Sequence, residues 1–144
     1  MTTKLHLKVI TPERVLFESD VFQVVVPTIE GEITILPQHL NLITKLSEGE
    51  LKLKLTSKSN WEYVLIFGGI LSIHNNQVNI LAKSAVKAQE IDIAQAEKAK
   101  REAEKILSQK QERVKFAQAE TQLRRAIMEL ELAKKYKRVK NLPH

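Results

Sequence analysis

The stretch Val78-Asn79-Ile80-Leu81-Ala82-Lys83-Ser84-Ala85-Val86-Lys87-Ala88-Gln89-Glu90-Ile91-Asp92-Ile93-Ala94-Gln95-Ala96-Glu97-Lys98-Ala99 changes its hydrophobic period part-way along. Val78–Leu81 has the short apolar character of a strand. Past Gln89 the apolar residues recur at helical spacing instead, as Ala96, Ala99, Ala103 and Ile106. Asp92 is placed to cap that helix with its carboxylate, and Gln95 at the third helical position completes a D-x-x-Q capping box. The change of period divides the chain into residues 1–86, expected to be β, and residues 87–144, expected to be α.

Backbone punctuation divides the chain in the same way. All four glycines lie at or before Gly69, and between Pro37 and Pro143 there is no proline. Before the change of period, Lys4, His6 and Lys8 alternate with Leu5, Leu7 and Val9, the pattern of a strand with one buried face. Val15–Phe17 resumes after Thr11-Pro12-Glu13. Val21–Val26 is a β-branched run read as ending at Pro27, and Ile33–Leu36 is a further short strand. Leu51, Leu53 and Leu55 alternate after a turn signal at Glu48-Gly49-Glu50, and Tyr63–Phe67 reads as a buried strand ending at Gly68-Gly69. Ile70–Ile73, the turn Asn75-Asn76 and Val78–Leu81 make a final hairpin. Eight to ten short strands at this spacing predict an antiparallel β-sandwich or flattened barrel.

On the helical side, Ala119, Leu123, Ala126, Leu130 and Ala133 repeat at 4-3-4-3 spacing. Two alanine-rich seams can approach closely, which predicts an antiparallel two-helix hairpin with a reversal around Gln109–Arg113. That reversal contains no Gly, Pro, Asn or Asp, so it is weakly specified.

Charge follows the same division. Residues 1–112 carry 14 basic and 14 acidic side chains, while residues 113–144 carry nine against three, so the whole formal +6 lies on the last 32 residues. Arg124-Arg125, Lys134-Lys135, Lys137-Arg138 and Lys140 make up much of that excess. Three readings compete for it: a solvated helix face, docking to an acidic protein surface, or contact with nucleic acid or membrane. A neutral first part without an interleaved basic-aromatic patch argues against nucleic acid. An alanine seam without bulky apolar residues argues against membrane insertion.

Chemistry is sparse. Without cysteine there is no thiolate or disulfide, which fits a reducing compartment. His6, His39, His74 and His144 are scattered without metal-ligand spacing. Gly68-Gly69 lacks the rest of a phosphate loop and reads as a packing or bulge position. No catalytic constellation is visible, and no cofactor is expected. The alternating start, Met1-Thr2-Thr3-Lys4-Leu5-His6, is not a secretory signal, and no apolar stretch approaches a membrane span.

The stretch Glu30-Gly31-Glu32-Ile33-Thr34-Ile35-Leu36-Pro37-Gln38-His39, continued by Leu42 and Thr44, resembles the signature loop of the epsilon subunit family of F-type ATP synthases. Gly68-Gly69-Ile70 with Val78-x-Ile80-Leu81-Ala82 resembles that family's sandwich end. Ile91-Asp92-x-x-x-Ala96-x-x-Ala99 resembles its first C-terminal helix, and Phe116-Ala117-Gln118-Ala119 with Leu123-x-x-Ala126-Ile127 its second. The likeness runs in order over nearly the whole chain.

The resemblance implies a non-catalytic rotor subunit of the bacterial or plastid type. Its sandwich would stand beside the gamma subunit and on the polar loops of the c-ring, with Glu32 and His39 at those contacts. Its helical arm would fold back, or extend to the acidic alpha/beta catalytic head and block ATP hydrolysis through Arg124, Arg125, Lys134, Lys135 and Arg138. It would be peripheral, on the cytoplasmic face of the bacterial inner membrane or the stromal face of the thylakoid, held there only through the complex. Some relatives bind ATP on the hairpin through I-D-x-x-R-A and second-helix arginines. Here Gln95 and Glu129 stand at two of those arginine positions, which predicts no ATP binding. The alternative reading of the residues is a β-sandwich adaptor whose basic arm binds acidic protein or nucleic acid.

Overall fold

The computed structural model describes residues 4–140, apart from the side chains of Val139 and Lys140. Met1-Thr2-Thr3, Pro143 and His144 lie outside the described residues, as does the Lys140 side chain. Two compact units are present, Met1–Lys87 and Ala88–His144. The first is the expected β-sandwich, the second the expected helical hairpin.

Eight strands form the first unit: β1 (Leu5–Ile10), β2 (Val15–Val21), β3 (Gln23–Thr28), β4 (Gly31–Ile35), β5 (Leu42–Lys54), β6 (Glu62–His74), β7 (Gln77–Ala82) and β8 (Ala85–Lys87). Hydrogen bonding links them in the order β2-β1-β7-β6-β5-β3-β4, with β8 added to β6. Pairing is antiparallel except between β1 and β7. The Asn75-Asn76 turn has φ of 47° and 63° and joins His74 to Gln77, a two-residue hairpin in the geometry asparagine tolerates best after glycine.

Two glycine sites read as strand ends in the sequence are interior to long strands. β5 runs unbroken through Glu48-Gly49-Glu50, and β6 through Gly68-Gly69; each has 13 residues. The inward phase of both reverses there. In β5, Leu46 is buried before the glycine and Leu51 and Leu53 after it; in β6, Val64 and Ile66 are buried before, Leu71 and Ile73 after. Even-numbered positions face the core on one side of the glycines and odd-numbered ones on the other. A strand of about 13 residues spans roughly 43 Å, so the first half of β6 pairs with β8 and its second half with β7, while β5 pairs with β3 on the edge away from β6. The pair β5–β6 thus serves both layers around one core. Glycine is a break signal in short segments, but here it lets a paired strand change face.

Contacts explain which glycines the geometry requires. A Cβ on Gly69, whose φ is 136°, would sit 2.1 Å from the Leu81 carbonyl oxygen. Gly49 faces the Pro27 ring, where a Cβ would come within 3.0 Å. Pro27 itself lies inside β3, opposite Glu32, and does not end the strand. Its missing N–H is tolerated because the β3–β5 register is irregular between Val25 and Thr28.

The second unit holds a single 3-10 turn at Ala88–Glu90, then α1 (Ile93–Leu107) and α2 (Arg113–Lys140). Burial follows the two alanine seams. Ala96 and Ala103 on α1, and Ala119, Ala126 and Ala133 on α2, are buried at seven-residue intervals. The 3-10 turn also contacts α2, and both Ala88 and Leu132 are buried.

Substituting Gly69→Ala should lower unfolding free energy by more than about 3 kcal/mol, because backbone and not a movable side chain occupies the space. Gly31→Ala, where φ is 116° but no atom lies within 4 Å, should cost only about 1–2 kcal/mol. Urea unfolding of the two variants checks the difference; equal losses would show that strain, not collision, sets the requirement.

Candidate functional site

Strand register builds an apolar row on the outward phase of the sandwich. Lys45 lies opposite Ile70, Ile70 opposite Leu81, Leu81 opposite Ile10, and Ile10 opposite Val15. Ile29 joins the row through its N–H to the Lys45 carbonyl at 3.1 Å. Ile70, Leu81 and Ile29 are 45%, 51% and 60% exposed. An open groove of about 600 Å³ runs along them and is floored by Gly68-Gly69, with Thr11, Lys45 and Lys83 as polar neighbours. Single exposed aliphatic residues are ordinary, whereas a contiguous row beside a groove marks a docking surface.

The row was visible in the sequence only as a phase error. Val78, Ile80 and Ala82 face the core, so Leu81 falls on the polar phase. Ile70 does so next to buried Leu71. Both could have been flagged as apolar residues out of step, but that needs the strand phase, which reverses at Gly68-Gly69.

Glu32 and His39 are held apart. Glu32 is exposed on edge strand β4 just after the turn that carries Ile29. His39 lies beyond the other end of β4, where its Nδ1 is 2.7 Å from the Leu40 carbonyl, which accepts, and its N–H donates to the Leu36 carbonyl. The His39 loop is fastened to the Asn75-Asn76 turn: the Gln38 N–H donates to Asn76 Oδ1, and the Asn75 N–H donates to Asn41 Oδ1 at 3.4 Å. Leu40 and Ile43, 83% and 76% exposed, make that end apolar too.

In the arm, Asp92 is the N-cap of α1 and accepts from the Gln95 N–H at 3.1 Å. α1 closes at Ser108, whose Oγ donates to the Lys105 carbonyl at 2.7 Å and whose φ of −77° and ψ of −11° remain right-handed helical. No left-handed residue ends the helix. A serine hydroxyl supplies a stop that the sequence signals for helix termination do not single out.

The five basic residues expected at the head contact, among the nine on α2, are not gathered into one patch. At about 100° per residue, Arg124, Lys135 and Arg138 share a face opposite the alanine seam. Arg124 and Arg138 are exposed, and Lys135 is half-buried. Arg125 is turned away and its Nε donates to Glu129 Oε1 at 3.0 Å, a half-exposed ion pair. Lys134 borders a groove between the helices, lined also by Leu130 and by Glu97, Lys100, Arg101 and Glu104 of α1. Among the described residues no helix is long and apolar enough to cross a membrane.

Comparison with known proteins agrees with this architecture. Residues 4–88 match the family described as ATP synthase, Delta/Epsilon chain, beta-sandwich domain. Residues 89–134 match ATP synthase, Delta/Epsilon chain, long alpha-helix domain. The chain is 42% identical to the ATP synthase epsilon chain of Halalkalibacterium halodurans over 90% of its own length and 96% of that protein. It is 44% identical to that of Dehalococcoides mccartyi over 92% and 94%. Its fold is similar to a chain in the Euglena gracilis mitochondrial ATP synthase, with a TM-score of 0.73 and 24% identity over 93% of this chain and 82% of that one. It is also similar to a chain of the Tetrahymena thermophila central stalk and c-ring, with a TM-score of 0.60 and 17% identity over 90% and 96%.

Replacing Asp92→Ala removes the side-chain acceptor that caps the first turn of α1. The expected loss is about 1 kcal/mol, read as a lower thermal midpoint for the helical far-UV signal.

Proposed function

The chain belongs to the ATP synthase epsilon-chain family, and from that premise we propose that it is a non-catalytic central-stalk subunit of a proton-translocating F-type ATP synthase. Its sandwich binds the gamma subunit and rests on the polar loops of the c-ring. Its helical arm restrains ATP hydrolysis by the alpha/beta head. The observation that carries the reading is the apolar row Ile70–Leu81–Ile10–Val15, with Ile29 across Lys45, left open beside its groove. Burying such a row on a partner contributes roughly 25 cal/mol per Å² of apolar surface, enough to seat the sandwich without any chemistry of its own. Glu32, exposed at the groove end of β4, suits a polar loop. His39 suits an ordering role in the loop at the other end, with Leu40 as the contact beside it. Attachment to the membrane is then peripheral and through the complex, on the cytoplasmic face in a bacterium or the stromal face in a plastid.

The arm is suited to exchange between packings. Its deepest inter-helix positions are alanines, each burying about one methyl group, roughly 0.8 kcal/mol against 1.5–3 kcal/mol for a leucine. Ser108 ends α1 without leaving the helical region, so the reversal stores no left-handed residue that straightening must undo. α2, at 28 residues, is about 42 Å long. Unpacking the hairpin therefore costs a few kcal/mol, within what partner contacts supply. Once extended, Arg124, Lys134, Lys135 and Arg138 meet an acidic surface of the head. Arg125 joins them on exchanging its half-exposed pair with Glu129, an interaction of small net value.

Removing residues 110–144 should raise ATP hydrolysis by the assembled complex about two-fold or more, as expected when an evenly populated inhibited state is lost. Assembly should be unchanged. Unaltered hydrolysis in a complex that retains the truncated chain would exclude the arm as an inhibitor.

The same arm should not hold ATP as a latch. Gln95 contributes its N–H to the Asp92 cap, and Arg125 is paired with Glu129, a carboxylate that repels phosphate. Millimolar ATP should leave the thermal midpoint of the free chain unshifted. A rise that saturates with ATP concentration would demonstrate binding.

A further inference from the structure

His6 stands on the outward phase of β1 with both ring nitrogens engaged. Nδ1 is 2.9 Å from Asp20 Oδ1, and Nε2 is 2.9 Å from Glu18 Oε2. Register accounts for the arrangement: Asp20 on β2 is directly opposite His6, and Glu18 is its diagonal neighbour, opposite Lys8. β2 is the last strand in the hydrogen-bonding order, adjoining only β1. A neutral imidazole has one N–H and one lone pair, so it donates to one carboxylate and turns a lone pair on the other. Only the imidazolium donates to both. We propose that His6, Glu18 and Asp20 form a proton-dependent clip that fastens edge strand β2 to β1 when His6 is charged and loosens it when His6 is neutral.

The surroundings support that role. Lys4, just before β1, and Lys8 in it flank His6 at the same alternation, and Lys8 faces Glu18. On β7 the register neighbour is neutral Gln77; beyond it lies His74 of β6, whose Nε2 is 3.1 Å from Asn75 Nδ2. Hydrogen bonds to Glu18 and then to Asp20 raise the His6 pKa above its ordinary 6.5. The hydrogen bond from His6, followed by the attraction of Lys8, holds the Glu18 carboxyl below its ordinary 4.5. A raised histidine contributes stability that is complete below pH 6.5 and is lost as pH rises through its folded value. A lowered carboxylate contributes above its ordinary value and loses that as pH falls. The clip is therefore closed in mildly acid solution and opens as pH rises through the raised value of His6. Exposure of all three side chains limits its strength and makes it sensitive to salt.

Val15, in the same strand, closes the apolar row, so loosening β2 also loosens one margin of the docking face. That consequence rests on the docking role proposed above. The clip itself is tested on the purified full chain alone, by hydrogen–deuterium exchange at pH 5.8 and 8.2, corrected for intrinsic rates. Protection of β2 amides should fall roughly two- to five-fold at the higher pH, the range exposed ion pairs give, while the β6–β7 hairpin stays unchanged. In His6→Gln, β2 protection should be equal at both values. PH-independent protection in the unmodified chain, or the same fall in His6→Gln, would overturn the proposal. An NMR titration gives a second reading. The His6 ring should titrate above 6.5 and move back toward it in Glu18→Gln with Asp20→Asn; a midpoint at or below 6.5 in the unmodified chain would also defeat it.

Discussion

The close approach of Gly69 to the Leu81 carbonyl is the constraint on which the sandwich depends. β6 crosses from one layer to the other there, and a side chain at Gly69 would occupy the backbone of β7. β5 changes face at the neighbouring Gly49 because it is paired with β6, and its own glycine faces the Pro27 ring of β3. Three strands are thus adjusted at one level of the fold. The reversal aims Val64, Ile66, Leu71 and Ile73 of one strand into a single core, and it turns Ile70 outward. Core and docking row are two results of the same kink.

In the helical unit the governing choice is alanine where leucine would hold more firmly. The seam positions bury little and allow close approach, so the hairpin forms without becoming deep. Leu132 departs from this economy: it is fully buried on a different face from the seam, and the 3-10 turn at Ala88–Glu90 also contacts α2. The C-terminal half of α2 is accordingly covered on more than one side, whereas its first turns, with Val114 and Phe116, stay exposed. A helix covered unevenly along its length is suited to leave its packing progressively from the reversal end.

Local periodicity made much of this fold legible. The Leu5-Leu7-Val9 alternation, the Asn75-Asn76 turn and the 4-3-4-3 seam each depend on near neighbours, and each has its expected counterpart in the structure. That β5 and β6 run on through their glycines was illegible for the opposite reason, although Gly68-Gly69 reads in the sequence as a packing or bulge position. A residue that breaks an isolated strand is harmless, or required, when both neighbours hold it in register, and neighbours are a non-local fact. The docking row was hidden for the same reason, since Leu81 and Ile70 are out of phase only once the phase is known. Charge composition located the basic arm but could not show that Arg125 is turned onto Glu129, or that Lys134 overlooks α1.

By itself, then, the sequence determined the class of each half, the hairpin turn, the place where β gives way to α, and the family to which the chain belongs. Those properties follow from residue spacing and backbone preference over a few positions. Tertiary structure alone decided that the two apparent strands on either side of Gly68-Gly69 are one, that a row of aliphatic side chains lies open beside a groove, and that His6 is gripped by two carboxylates of the edge strand. Each of these requires residues distant in the chain to be brought into register, and register is set by how both layers bury one core.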